Sequence, residues 1–145
     1  MAAVGGVPLA LFLAQARQAG HGRAYLALTT VVLDDATVLQ PDLLFIAKGR
    51  LHIVTEQNIH GPPDLIIEVL SETTRKRDLG AKLRLYARFG VPHYWVVDPD
   101  ERTVRVFTRT DDRYTAQEPP LASGAELTCP LFPGIATPVA ELFNT

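Results

Sequence analysis

Apolar positions fall into short blocks along the chain, and the spacing within the blocks changes from one to the next. Residues 7–14 are almost all apolar. Pro8 suits a first helical turn and Gly20 a stop, which predicts a buried helix over 8–19. AYLALTTVVL, 24–33, is rich in β-branched and aromatic residues and predicts a strand. Asp34-Asp35-Ala36-Thr37 has turn chemistry, and TVLQPDLLFIA, 37–47, predicts a second strand with Pro41 at its entrance or on an edge. Residues 48–60 read as a polar connection with a short helical turn. The third strand follows the break Gly61-Pro62-Pro63, in GPPDLIIEVLS, 61–71. Residues 73–89 predict a helix ending at Gly90, and HYWVVDP, 93–99, a further strand. The turn Asp98-Pro99-Asp100-Glu101 sends the chain back into RTVRVFTR and then RYTAQ, a C-terminal β-meander. The tail, with Pro130, Pro133, Gly134 and Pro138, reads as mostly loop, closing in a helical turn at Val139–Phe143. A helix between strands of one sheet predicts an α/β (α+β) domain, a mixed β-sheet flanked by helices.

The third strand departs from its own apolar pattern. Side chains alternate across a strand, so Asp64, Ile66, Glu68 and Leu70 share one face, and Leu65, Ile67 and Val69 the other. Asp42, Leu44 and Ile46 share a face of the second strand. If the two strands are neighbours, three carboxylates converge near one end of a sheet, in the composition of a Mg²⁺ site for phosphoester chemistry. A turn-capping role after Pro62-Pro63 is at least as good a reading of Asp64. For Glu68, mid-strand among Ile and Val, burial demands a cation, a hydrogen-bond partner or a metal.

The following helix supplies a cation. With Leu79 at zero on a helical wheel, Leu83, Tyr86 and Phe89 join it in one apolar arc, while Arg77, Arg84 and Arg88 fall opposite. Lys82 and Arg75 fall inside the arc. Lys82 either pairs with Asp78 at i,i+4 and snorkels outward, or reaches the carboxylates and stabilises charge on a phosphate. The Arg77, Arg84 and Arg88 row is a solvated face or a nucleic-acid-binding patch.

Composition narrows the classes. One domain is expected from 145 residues, with 47% hydrophobic and 21% charged side chains. A net charge of −2 supplies no global basic field for nucleic acid. Cys129 is the single cysteine, which excludes an internal disulfide and a Cys-rich metal site and fits a cytoplasmic location. Ala14-Gln15-Ala16 has the small-x-small spacing of a signal cleavage site. However, no Lys or Arg precedes the apolar run, and the run is too short to span a bilayer. His21, His52, His60 and His93 show no ligand spacing. Ser71 lacks the Gly-x-Ser-x-Gly elbow of a hydrolase, and the glycines form no phosphate-cradling loop.

Three stretches, QPDLLFIA, GPPDLIIEVLSETTRKRDLGAKLRLYARFGVPHYWVVDPDERTVRVF and LFPGIATPVAELF, resemble the Uma-two family. Members of that family are described as restriction endonucleases and placed in the PD-(D/E)XK nuclease superfamily. The resemblance implies a restriction-endonuclease-like core with an acidic site at one end, a Mg²⁺ or Mn²⁺ cofactor and a DNA substrate. Position by position, Asp42 matches the Asp of the second core strand, and Glu68 the Glu of the (D/E)XK triplet. The backbone carbonyl of Val69 is the third metal contact. The Lys of the triplet would fall at Leu70, so Lys82 is the migrated replacement, and Asp64 is an additional candidate. Arg75, Arg77, Arg84 and Arg88 are the nucleic-acid-binding candidates. Family members begin with a further segment holding a Tyr-Glu-Leu-like strand and a Glu often assigned to the site, and this chain opens inside the helix that follows. The expectation is a shortened N-terminus whose uncovered apolar residues lead to a homodimer. Two rivals stand beside a metal-dependent endonuclease: a folded relic that no longer cuts, and a module that binds DNA or a partner through the arginine face without chemistry.

Overall fold

The computed structural model describes residues 6–143. Helix α1 spans Gly6–Gln18, followed by strands β1 (Gly22–Leu26), β2 (Val31–Asp34), β3 (Thr37–Leu39) and β4 (Leu43–Ala47). A 3-10 turn over Lys48–Ile53 leads to β5 (Ile59–His60) and β6 (Leu65–Val69). Helices α2 (Arg75–Asp78) and α3 (Ala81–Phe89) precede β7 (His93–Asp98), β8 (Thr103–Thr110) and β9 (Arg113–Ala116). The tail holds β10 (Glu126–Thr128), β11 (Ala136–Pro138) and a closing 3-10 turn, Val139–Phe143.

Six strands form the main sheet in the order β1-β4-β6-β7-β8-β9. Among the described strands of this sheet only β6 and β7 pair in parallel, which is why the helices lie between them in sequence. β7, β8 and β9 form the expected meander. Alternation along the central strands feeds two separate cores. Leu43, Phe45, Leu65 and Ile67 join Leu9, Phe12 and Leu13 of α1, Trp95 and Phe132 on one face. Leu44, Ile46, Ile66 and Leu70 join Tyr86, Val91, Tyr94 and Val96 on the other. Val31 and Ile59, from the small β3-β2-β5 sheet, complete that second face. The outer side of α1 leaves Val7 and Leu11 exposed.

Four expected elements are divided or added. The strand over 24–33 is two strands, because the Thr29 hydroxyl bonds the Leu26 carbonyl at 2.6 Å and closes a turn between them. The strand over 37–47 also splits. Pro41 has no N–H for a ladder bond, so β3 pairs with β2 in the small sheet while β4 enters the main one. The helix over 73–89 breaks at Leu79-Gly80, where an added Cβ on Gly80 would sit 2.7 Å from the Lys76 carbonyl oxygen. Its stop is where the sequence puts it, Gly90, in the left-handed conformation at φ 90°. The tail is more ordered than its prolines imply, since β10 and β11 pair antiparallel and bury Leu127.

Candidate active site

The register of β4 on β6 builds the site. Leu43 pairs with Ile67, Leu44 with Ile66 and Phe45 with Leu65. One residue further along that antiparallel register, Asp42 stands opposite Glu68. Two crossed hydrogen bonds fix them there. The Asp42 N–H donates to Glu68 Oε1 at 3.1 Å, and the Val69 N–H donates to Asp42 Oδ2 at 2.7 Å.

The helices close the site from one side. Lys82 donates from Nζ to Glu68 Oε2 at 2.8 Å, and the Tyr86 hydroxyl donates to the same oxygen at 3.1 Å. Glu68 thus accepts three hydrogen bonds at a position only 2% exposed. Burial pushes its carboxyl above the usual carboxylate range, and the Lys82 ammonium and the Asp42 N–H pull partly back. The Tyr86 hydroxyl is pushed well above its ordinary value by burial first and by the Glu68 charge second, so it stays protonated and remains a donor. Asp78, also 2% exposed, lies 3.4 Å from Lys82 Nζ through Oδ1. Lys82 thus reaches Glu68 and also sits beside Asp78, and with its side chain 13% exposed it does not snorkel outward.

The remaining candidates lie elsewhere. Asp64 starts β6, about 13 Å along the strand from Glu68 at roughly 3.3 Å per residue. Its Oδ2 accepts the Ala47 N–H at 2.8 Å and faces Arg50 at 3.2 Å, so it ties the start of β6 to the end of β4 rather than capping the local turn after Pro62-Pro63. Arg75 donates to Asp98 Oδ2 at 2.9 Å and anchors the start of α2 to the end of β7. Burial alone would raise the Asp98 carboxyl, but the Glu101 N–H and Arg75 outweigh it and hold the pKa below its usual value. Arg77, Arg84 and Arg88 are exposed. Arg77 lines a cleft of about 380 Å³ together with Val38, Leu39, Gln40 and Lys82, so it is the one of the three at the mouth of the site. Leu70, where the sequence pattern would place a lysine, is packed in the second core. Tyr86 and Asp78 are the residues that sequence reasoning passed over as site members. The missed signal is the spacing of four between Lys82 and Tyr86, which stacks them on one stripe of α3, with Asp78 another four residues back across the Gly80 break.

Hard oxygen donors at this site fit a small divalent cation. Mg²⁺ takes one or two carboxylates and completes its shell with water and phosphate, and Asp42 and Glu68 supply two beside the Val69 backbone. Among the described residues no group of three or more His, Cys, Asp and Glu side chains is placed to hold a metal ion. A cation here would therefore have to rest on the two carboxylates and take its other ligands from outside these side chains. No helix of the described residues is long and apolar enough to cross a membrane.

A family model described as "Uma2: Putative restriction endonuclease" matches residues 7–140. The chain is similar in fold to a solved structure described as a "putative nuclease belonging to DUF820" from Anabaena variabilis. The TM-score is 0.74 at 19% identity, covering 96% of this chain and 77% of that one. No curated protein matches the chain.

Proposed function

Because the chain belongs to the Uma2 family, whose model covers residues 7–140, we propose that it is a divalent-metal-dependent endonuclease that hydrolyses DNA phosphodiester bonds. The observation that carries this is the convergence of Asp42, Glu68 and Lys82 where β4 and β6 meet, beside a cleft whose mouth holds Arg77. Asp42 and Glu68 would hold Mg²⁺ or Mn²⁺, with the Val69 carbonyl as the backbone contact. When bound, such a cation polarises the phosphoryl group and lowers the pKa of a bound water.

The chain's own groups do the rest. Lys82 places a positive charge beside the carboxylates, where it offsets charge building on the phosphate oxygens. Tyr86 holds the Glu68 carboxylate in one orientation by donating to Oε2. Arg77 at the cleft, with Arg84 and Arg88 further along the exposed helix face, pairs with backbone phosphates and positions the strand without reading sequence. Arg75 has one end of its guanidinium held by Asp98 and is the least free of the four arginines to turn to a phosphate.

Plasmid nicking tests the reading. Wild-type protein with Mg²⁺ or Mn²⁺ should convert supercoiled DNA to the open circle, and Asp42→Asn and Glu68→Gln should each abolish that conversion while keeping the far-ultraviolet spectrum. Binding of DNA by the wild type with no cleavage under either cation would replace the nuclease by the binding module.

A further inference from the structure

Glu68 Oε1 accepts only from the Asp42 N–H, whereas Oε2 accepts from both the Lys82 ammonium and the Tyr86 hydroxyl and has both of its acceptor sites filled. A cation that takes Oε2 therefore needs one of its two donors to leave. Tyr86 is fully buried. Lys82 is the remaining one. It stands on the helix side of the site and keeps partial exposure, 13% of its side chain, while Glu68 keeps 3%.

A lysine that leaves one carboxylate needs another. Asp78 Oδ1 is buried, lies 3.4 Å from Lys82 Nζ, and accepts no hydrogen bond among the described residues. An unsatisfied buried carboxylate oxygen is costly, and a charge-assisted N–H···O bond closes at about 2.7–2.9 Å. A movement of Nζ by well under an ångström would complete it. Asp78 is also held in place from behind, because the Tyr94 hydroxyl donates to its backbone carbonyl at 2.8 Å. Asp78 ends α2 and Lys82 lies in α3, across the Gly80 break, so this pair spans two helices.

We infer that Asp78 is a positioning residue that receives the Lys82 ammonium when a divalent cation takes Glu68, and so sets how tightly the site binds metal. This rests on the reading of Asp42 and Glu68 as metal ligands. Asp78 touches neither substrate nor cation and acts through Lys82 alone. Without it, Lys82 has Glu68 as its single partner and competes with the cation for that carboxylate.

Mn²⁺ binding by calorimetry on the full chain tests this through a double-mutant cycle, with circular dichroism confirming that each variant is folded. Asp78→Asn should weaken Mn²⁺ binding about tenfold, within the range of coupling between residues in contact. Lys82→Gln removes the competing charge and should tighten binding relative to wild type. Asp78→Asn in the Lys82→Gln background should then match Lys82→Gln alone to within about twofold, because the residue through which Asp78 acts is gone. If half or more of the loss on a logarithmic scale persists in that background, Asp78 acts on the cation directly and the inference is overturned. Mn²⁺ binding by Lys82→Gln but not by wild type would overturn it too, while leaving the metal site standing. Binding by neither would overturn the metal-dependent nuclease reading and the inference with it.

Discussion

Tyr86→Phe deletes one oxygen atom at a position that is fully buried, and that oxygen donates to Glu68 Oε2 at 3.1 Å. The ring stays, so its edge-on contact with Tyr94, 5.2 Å between centroids, is retained and no cavity opens beyond the hydroxyl. A hydrogen bond to a charged acceptor contributes about 1.5–3 kcal/mol. Glu68 keeps two other donors and is not orphaned, which places the loss toward the lower part of that range, about 2 kcal/mol. Unfolding entropy is about 2.1 cal/mol/K per residue, or roughly 0.3 kcal/mol/K for a chain of 145 residues. The expected fall in Tm at pH 8 is therefore about 7 °C. The pH dependence carries the sharper information. Below the folded-state pKa of Glu68 the acceptor is a neutral carboxyl, whose hydrogen bonds contribute about half as much, so the deficit should shrink to about 1 kcal/mol. Thermal denaturation followed by circular dichroism at pH 8 and pH 4 measures both numbers. A fall that is the same at the two pH values would refute the assignment of the hydroxyl to Glu68, and a fall under about 1 °C at pH 8 would show that the bond contributes nothing.

Three further outcomes follow from the same geometry. Glu68→Gln should become progressively more stable relative to wild type between pH 4 and pH 8, measured by urea unfolding: folding raises this carboxyl above an unfolded value near 4.5, so its contribution is fully present below that value and is lost as pH rises through the folded one. Asp64→Ala leaves the half-buried Ala47 N–H without its acceptor and should destabilise the fold by about 1 kcal/mol, yet calorimetric Mn²⁺ affinity should stay within about twofold of wild type. Reversing Arg77 to Glu should flatten the slope of log binding against log salt by about 0.9 for each phosphate that is no longer neutralised, and should weaken DNA binding more than Arg84→Glu or Arg88→Glu; equal effects from all three would mean that the cleft mouth is not where the backbone lies.

The central part of this fold was legible because period-two alternation and strand chemistry both point the same way there. Residues 65–69 and 93–98 have one reading as strands, and the two faces they assign, Ile66 with Glu68 and Leu65 with Ile67, are the two faces that feed the separate cores. Glu68 and Lys82 stood out because each breaks the pattern of its own element. Asp42 did not break any pattern, and its approach to Glu68 depends on a strand pairing between residues 26 apart. Two of the boundaries that failed share a cause. Between Leu26 and Val31 and between Leu39 and Leu43 the hydrogen bonding changes sheet, and the interrupting Thr29-Thr30 and Gln40-Pro41-Asp42 carry no mark of which sheet receives each half. Tyr86 and Asp78 were missed for the opposite reason. Each has an ordinary helical role in sequence, an aromatic on the buried arc and an acid at i,i+4 from a lysine, and only the packed structure shows both roles converging on one ammonium and one carboxylate.

Glu68 also bears on how the chain finds its native pairing. In the native register it pairs with Val96, and its side chain shares the second face with Ile66. A slip of β6 by one residue reverses every side chain on the strand. The carboxylate would then enter the cluster where Phe12 stacks on Trp95 and meets Phe132 edge-on, with no donor to receive it, while Ile67 would be turned toward the cleft. LIIEV is otherwise wholly apolar and tolerates either orientation, so this one charge distinguishes the correct alignment from its nearest wrong neighbour. A Glu68→Ile chain would lose that distinction along with the contacts to Asp42 and Lys82: the one charge on β6 also marks its correct alignment.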